Sequence, residues 1–128
     1  MDKTPHRILV VDDDELLRQF YSRVLSAQGY VPVCATNGAE AIEILEGENG
    51  KFDLALIDLL LPVKSGWELI EYIKADPKFA TLPLIAITGL SFSFEEFEKV
   101  KNACDAVFLK GDFEITKFNE TIARLLER

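Results

Sequence analysis

Ile8-Leu9-Val10-Val11-Asp12-Asp13 and Leu54-Ala55-Leu56-Ile57-Asp58 are short apolar runs that each close in acid. Runs of four Val, Ile, Leu and Ala residues suit strands covered on both faces, as in a parallel sheet. If the two are neighbouring parallel strands, their carboxyl ends bring Asp12, Asp13 and Asp58 to one sheet edge, where α/β folds place their ligand site. Two carboxylates about 4 Å apart repel by roughly 1 kcal/mol in water and about 4 kcal/mol at an effective dielectric near 20. Such a cluster holds either protons or a cation. Oxygen-only ligands on a rigid edge point to Mg²⁺.

Working outward, apolar runs alternate with amphipathic stretches of ten or more residues, the rhythm of βα units on a parallel sheet. Strands are expected over Arg7–Val11, Val31–Ala35, Asp53–Ile57, Leu84–Ile87 and Ala106–Leu109. The first helix is expected over Glu15–Gln28, with Leu16, Leu17, Phe20, Val24 and Leu25 on one face and Gly29 as a left-handed terminator. Asn37, with Glu40 three residues on, caps a second helix that turns Ala41, Ile42 and Leu45 inward before Gly47. Ser65 and Glu68 have capping-box spacing for a third helix, which stops near Ala75 because Asp76-Pro77 disfavours continuation. Ser93 and Glu96 repeat that spacing for a fourth helix ending near Ala103. Ile115, Phe118, Ile122, Leu125 and Leu126 share one face of a fifth. The Phe92, Phe94 and Phe97 group reads as helix packing, with an exposed docking patch as the other reading.

The 128 residues, 48% of them hydrophobic, suit one domain over 1–128 with a real core. No apolar stretch is long enough to span a bilayer and no signal-peptide segment opens the chain, so a cytoplasmic protein without membrane insertion is expected. A net charge of −8 without a basic run argues against direct nucleic-acid binding. Cys34 and Cys104 lack ligand spacing and read as small core residues. His6, ahead of the first strand, reads as solvated.

Five spaced positions then resemble one family along the whole chain, the response-regulator receiver domains of two-component signalling. Asp12-Asp13 is similar to its acidic pair, and Asp58-Leu59-Leu60-Leu61-Pro62 to its phosphoacceptor and proline loop, with Gly66 where that loop's glycine is expected. Ile87-Thr88-Gly89 resembles the hydroxyl residue after the fourth strand, and Phe108-Leu109-Lys110 the lysine after the fifth. The resemblance implies a flavodoxin-like, doubly wound, five-stranded parallel sheet in order 2-1-3-4-5 flanked by five helices. It implies that Asp58 accepts a phosphoryl group from a phosphohistidine, on a sensor histidine kinase or a histidine phosphotransfer protein. Mg²⁺ would be held by Asp13, Asp58 and the Leu60 main-chain carbonyl, with Asp12 acting largely through water. Lys110 and Thr88 would contact phosphoryl oxygens, and an altered surface of the fourth helix, fifth strand and fifth helix would meet a downstream protein target. By this reading the chain is no enzyme beyond catalysing its own phosphorylation and slow dephosphorylation.

Some positions depart from that pattern. Gly111 replaces a proline usually preceded by a cis bond; a cis non-proline bond costs about 2.5–4 kcal/mol, so a trans, differently shaped loop is expected and the aim of Lys110 is left open. Asp112-Phe113 suggests one inserted residue. Val107 stands where many members carry a Tyr or Phe, and Phe108 is expected on the opposite strand face. A pseudo-receiver, acting as a phosphorylation-independent interaction module, is therefore the alternative function. An aspartate-based phosphatase needs a second acid two residues after the nucleophile, where Leu60 stands. A flavin site lacks its phosphate loop after the first strand. Leu60 and Leu90 are expected to flank the phosphoryl group without activating water, giving slow self-dephosphorylation. In order 2-1-3-4-5 the two cysteines lie roughly 19 Å apart at about 4.8 Å per strand, too far for a disulfide.

Overall fold

Alternate residues of a strand point to opposite faces of its sheet, and in this chain both faces are apolar. A computed structural model, describing residues 4–47, 50–61, 65–89 and 93–127, shows how they are covered. The strands β1 (Arg7–Val11), β2 (Val31–Ala35), β3 (Leu54–Asp58), β4 (Leu84–Thr88) and β5 (Ala106–Leu109) form one parallel sheet in order β2-β1-β3-β4-β5. Ile8, Val10, Leu54, Leu56, Ile85 and Ile87 face α1 (Glu15–Ala27) and α5 (Ile115–Leu126), whose Tyr21, Leu25, Phe118, Ile122 and Leu125 complete one core. Leu9, Val11, Ala55, Ile57, Leu84 and Ala86 face the other side, where they meet residues of α2 (Gly38–Glu46), α3 (Gly66–Ala75) and α4 (Phe94–Ala103). The expected doubly wound sheet is what forms.

Element ends agree with the expected ones to within a residue, and each difference has a local cause. The carboxylate of Asp53 accepts a bond from the Arg7 N–H, so β3 starts one residue later. Asp58 pairs with Ile87 and Thr88 with Leu109, which carries β3 and β4 one residue further. Asn37, Ser65 and Ser93 cap α2, α3 and α4 as read. Gly29 takes φ +86°, and the bonds Tyr30 N to Leu25 O and Gly29 N to Ser26 O close α1 in a Schellman turn.

Three packing expectations are corrected. Leu16 and Phe20 of α1 are exposed, and the buried face carries Tyr21 and Leu25, because the helix is rotated toward α5. Cys34 is exposed rather than a core residue, since β2 is an edge strand; its Sγ lies 3.3 Å from Ser22 Oγ. Cys104 is buried as expected, and both thiols are free. Phe94 is 79% exposed and does not pack, Phe97 is half-buried, and Phe92 lies outside the described residues. His6 is exposed, yet its Nδ1 lies 3.5 Å from Asp53 Oδ2. Val107 and Phe108 point to opposite faces as expected, Val107 against the α3 side and Phe108 into the rings of Phe113 and Phe118. Lys99 of α4 sits over the Trp67 ring of α3, 4.8 Å from its centre. No helix among the described residues is long and apolar enough to cross a membrane.

Candidate functional site

The sheet order reverses direction between β1 and β3, and a crevice opens there at the carboxyl ends of the strands. Val11 pairs with Ile57, so the next residues, Asp12 just past β1 and Asp58 at the end of β3, stand side by side, only 2% and 3% exposed. Each is tied by local bonds. Asp12 donates its N–H to Ala35 O at 3.2 Å and accepts the Asp14 N–H on Oδ1 at 2.9 Å. Asp14 in turn caps α1, its Oδ1 accepting from the N–H groups of Leu16 and Leu17 at 2.9 and 3.2 Å. Asp58 Oδ1 accepts the Leu60 N–H at 3.0 Å.

Lys110 opens a 3-10 turn, Lys110–Asp112, directly after β5. The described chain has no cis peptide, so the Gly111 bond is trans, and the lysine still reaches the cluster. Its Nζ donates to Asp58 Oδ2 at 2.9 Å and lies 3.3 Å from Asp12 Oδ2. Burial opposes the charge on Lys110, but its bond to Asp58 and the charges of Asp58 and Asp12 outweigh that and raise its pKa. Burial also lifts the Asp12 carboxyl above its ordinary 3.8; the Asp14 N–H opposes this, Asp58 adds to it, and Lys110 opposes it. Asp12 Oδ2 is buried and accepts no hydrogen bond, although the Lys110 ammonium lies beside it. A buried carboxylate oxygen that meets an ammonium but accepts no hydrogen bond still has room for a metal cation as partner. Asp12, Asp13 and Asp58 each offer an oxygen within 4.8 Å of the others, a hard, all-oxygen donor set that fits Mg²⁺.

The structure thus brings Asp12, Asp13, Asp58 and Lys110 together, with Leu60 and Gly89 lining the same crevice. Thr88 ends the neighbouring strand β4, fully buried. Pro62 and Leu90 lie outside the described residues. Gly66 is required by contact: a Cβ there would lie 2.1 Å from Asp58 O and 2.6 Å from Leu59 Cα. The first turn of α3 therefore rests directly on the backbone of Asp58. Sequence reasoning missed Arg18, whose Nη1 donates to the Asp12 main-chain oxygen at 2.7 Å. Its spacing from Asp14 matches an ordinary i,i+4 surface pair, which gave no sign of this contact. The 3-10 turn and the burial of Tyr21 were missed as well.

A parallel sheet of this order with an acid cluster and a lysine at its carboxyl edge defines a class of signalling domain, and the profile of the response regulator receiver domain matches residues 8–121. The chain belongs to that family. Among its relatives, the polar-differentiation response regulator DivK of Brucella anthropi is 29% identical over 122 residues, spanning 95% of this chain and 97% of that protein. A CheY-like receiver domain protein from Methanospirillum hungatei superposes with a TM-score of 0.85 at 30% identity, covering 97% of this chain and 95% of that one. A putative response regulator from Chloroflexus aurantiacus gives 0.86 at 26% identity, covering 98% and 100%.

Proposed function

We propose that this receiver domain is a phosphorylation-activated switch of a two-component phosphorelay, with Asp58 as phosphoacceptor. The observation that carries this reading is the buried Asp58 carboxylate, 2.9 Å from Lys110 Nζ and grouped with oxygens of Asp12 and Asp13. Phosphoryl transfer is mainly a matter of positioning and charge neutralisation. An Asp58 oxygen forms the new P–O bond as the P–N bond to the donor histidine breaks. The imidazole leaves with the electron pair and takes a proton from solvent. Lys110, already paired with Asp58, follows the charge onto a phosphoryl oxygen. Thr88 donates its hydroxyl to another once the group is in place. Asp13, Asp58 and the Leu60 carbonyl would hold Mg²⁺, with Asp12 acting through water. When bound, the ion offsets the carboxylate charge and that of the incoming phosphoryl group.

The donor is a histidine kinase or phosphotransfer protein, and the altered α4-β5-α5 surface meets a protein target. The domain catalyses only its own phosphorylation and a slow loss of the group. Leu60, 63% exposed at the crevice, carries no group that orients water. Replacing Leu60 with Asn is expected to shorten the adduct's lifetime; an unchanged decay rate would remove that idea. The alternative, a phosphorylation-independent pseudo-receiver, draws on Gly111 and Val107, whereas the Lys110–Asp58 bond favours the working switch. Intact mass after incubation with phosphoramidate separates the two. One Mg²⁺-dependent phosphoryl adduct, absent in Asp58→Asn, is expected; no adduct under any condition would leave the pseudo-receiver.

A further inference from the structure

We propose that Arg18 is a positioning residue for the acid cluster, its guanidinium holding the Asp12–Asp13 peptide so that the carboxylates on either side of it serve one cation. The inference rests on the metal-dependent receiver reading above. Arg18 stands half-buried at the end of the first turn of α1, and the 2.7 Å bond from its Nη1 to Asp12 O ties that helix to the end of β1. A bond from a guanidinium is charge-assisted and stronger than one between neutral groups. With it, Asp12 has all but one of its hydrogen-bonding groups committed: the N–H to Ala35, the carbonyl to Arg18 and Oδ1 to the Asp14 N–H. What remains is Oδ2, the buried oxygen that accepts no hydrogen bond and has only the Lys110 ammonium, 3.3 Å away, beside it. The peptide whose carbonyl Arg18 grips is also the one that carries Asp13 out toward solvent. One contact thus governs where two of the three carboxylates stand.

A bystander role and a positioning role differ in sign. An arginine acting only through its charge repels a metal ion, so removing it tightens Mg²⁺ binding. An arginine that positions ligands behaves like the outer partners of metal sites, whose loss weakens metal affinity by roughly 10- to 100-fold. Calorimetric titration of Mg²⁺ into the wild type, Arg18→Met and Arg18→Lys distinguishes the two, with urea midpoints and phosphoramidate adduct rates measured on the same samples. In Arg18→Met the Mg²⁺ Kd is expected to rise about tenfold or more, and the adduct rate at a fixed, sub-saturating Mg²⁺ concentration is expected to fall with it. Arg18→Lys, which keeps a donor, is expected to recover most of the affinity. If Arg18→Met fails to fold, Arg18→Ala takes its place, and it must bind Mg²⁺ more weakly than the wild type. Unchanged or tighter binding in the neutral variant overturns the proposal, as does a shift in urea midpoint with no change in Kd. A wild type that binds no Mg²⁺ overturns it together with the metal site itself. Arg18-dependent Mg²⁺ binding without any adduct leaves it standing and overturns the phosphorylation reading alone.

Discussion

Helices α3 and α4 start from the same instructions and end differently held. Each is ten residues long, each follows a strand that ends at the site, and each opens on a serine whose Oγ accepts the N–H of a glutamate three residues on. Yet α3 buries Gly66, Leu69, Ile70 and Ile73, whereas α4 buries only Val100. The caps differ in one detail. Glu68 returns to the Ser65 N–H and completes a capping box, while Glu96 accepts from the Ser93 hydroxyl instead. A cap determines where a helix begins; burial of one face determines how firmly the rest of the protein holds it. Under the proposed switch function the division is useful. The helix resting on Asp58 is held by four buried residues, and the helix beside β5, held by one, costs less to displace.

The strongest way to break this comparison is to truncate both anchors. Ile73→Ala is expected to cost roughly 2–5 kcal/mol and Val100→Ala about 1–2 kcal/mol, read from urea midpoints. Equal losses would mean that α4 is held as tightly as α3. Next comes the contact of α3 with Asp58. Gly66→Ala forces a Cβ against the Asp58 carbonyl and is expected to cost about 1–3 kcal/mol and to lower adduct yield. Gly111→Ala meets nothing within 4 Å and is expected to change stability little, by about 0.5 kcal/mol at most. A benign Gly66→Ala would dissolve the claim that the helix rests on the site.

The caps should behave alike: Ser65→Ala and Ser93→Ala are each expected to lose about 1 kcal/mol by the same measurement, and a large disparity would move the difference between the helices from burial to capping. The smallest effect at neutral pH concerns Cys104, at the end of α4. Burial pushes its thiol from 9.0 to about 12. The folded protein then keeps a proton that the unfolded chain releases. The stabilisation is complete below about pH 9 and lost as pH rises toward 12. Replacing Cys104 with Ala should flatten the fall in stability over that range. At pH 8 iodoacetamide should modify Cys34 promptly and Cys104 only as α4 opens, with intact mass as the readout.

The same contrast explains what was legible in the sequence. Strands, caps and the acids Asp12, Asp13 and Asp58 were readable because short-range rules govern them: apolar runs, serine-glutamate spacing, acid at a strand's end; Lys110 entered through the family resemblance, and its aim at Asp58 is set by the structure. The inward face of α1 was misjudged because a helix with apolar residues at 16, 17, 20, 21, 24 and 25 offers two overlapping stripes. The position of α5, with Phe118 and Phe113 against Tyr21, selects between them. Exposure of Cys34 follows from strand order, which no local pattern encodes. Arg18 and the Lys110–Asp112 turn depend on contacts set by tertiary packing, and so left no mark on spacing.

Trp67, the chain's one tryptophan, follows the glycine that rests on Asp58 and lies beneath the Lys99 ammonium of α4. An indole's emission responds to charge held over its ring, so the gap between the fixed helix and the loosely held one is written into intrinsic fluorescence. The molecule carries its own optical gauge, and movement of α4 can be followed in unlabelled protein.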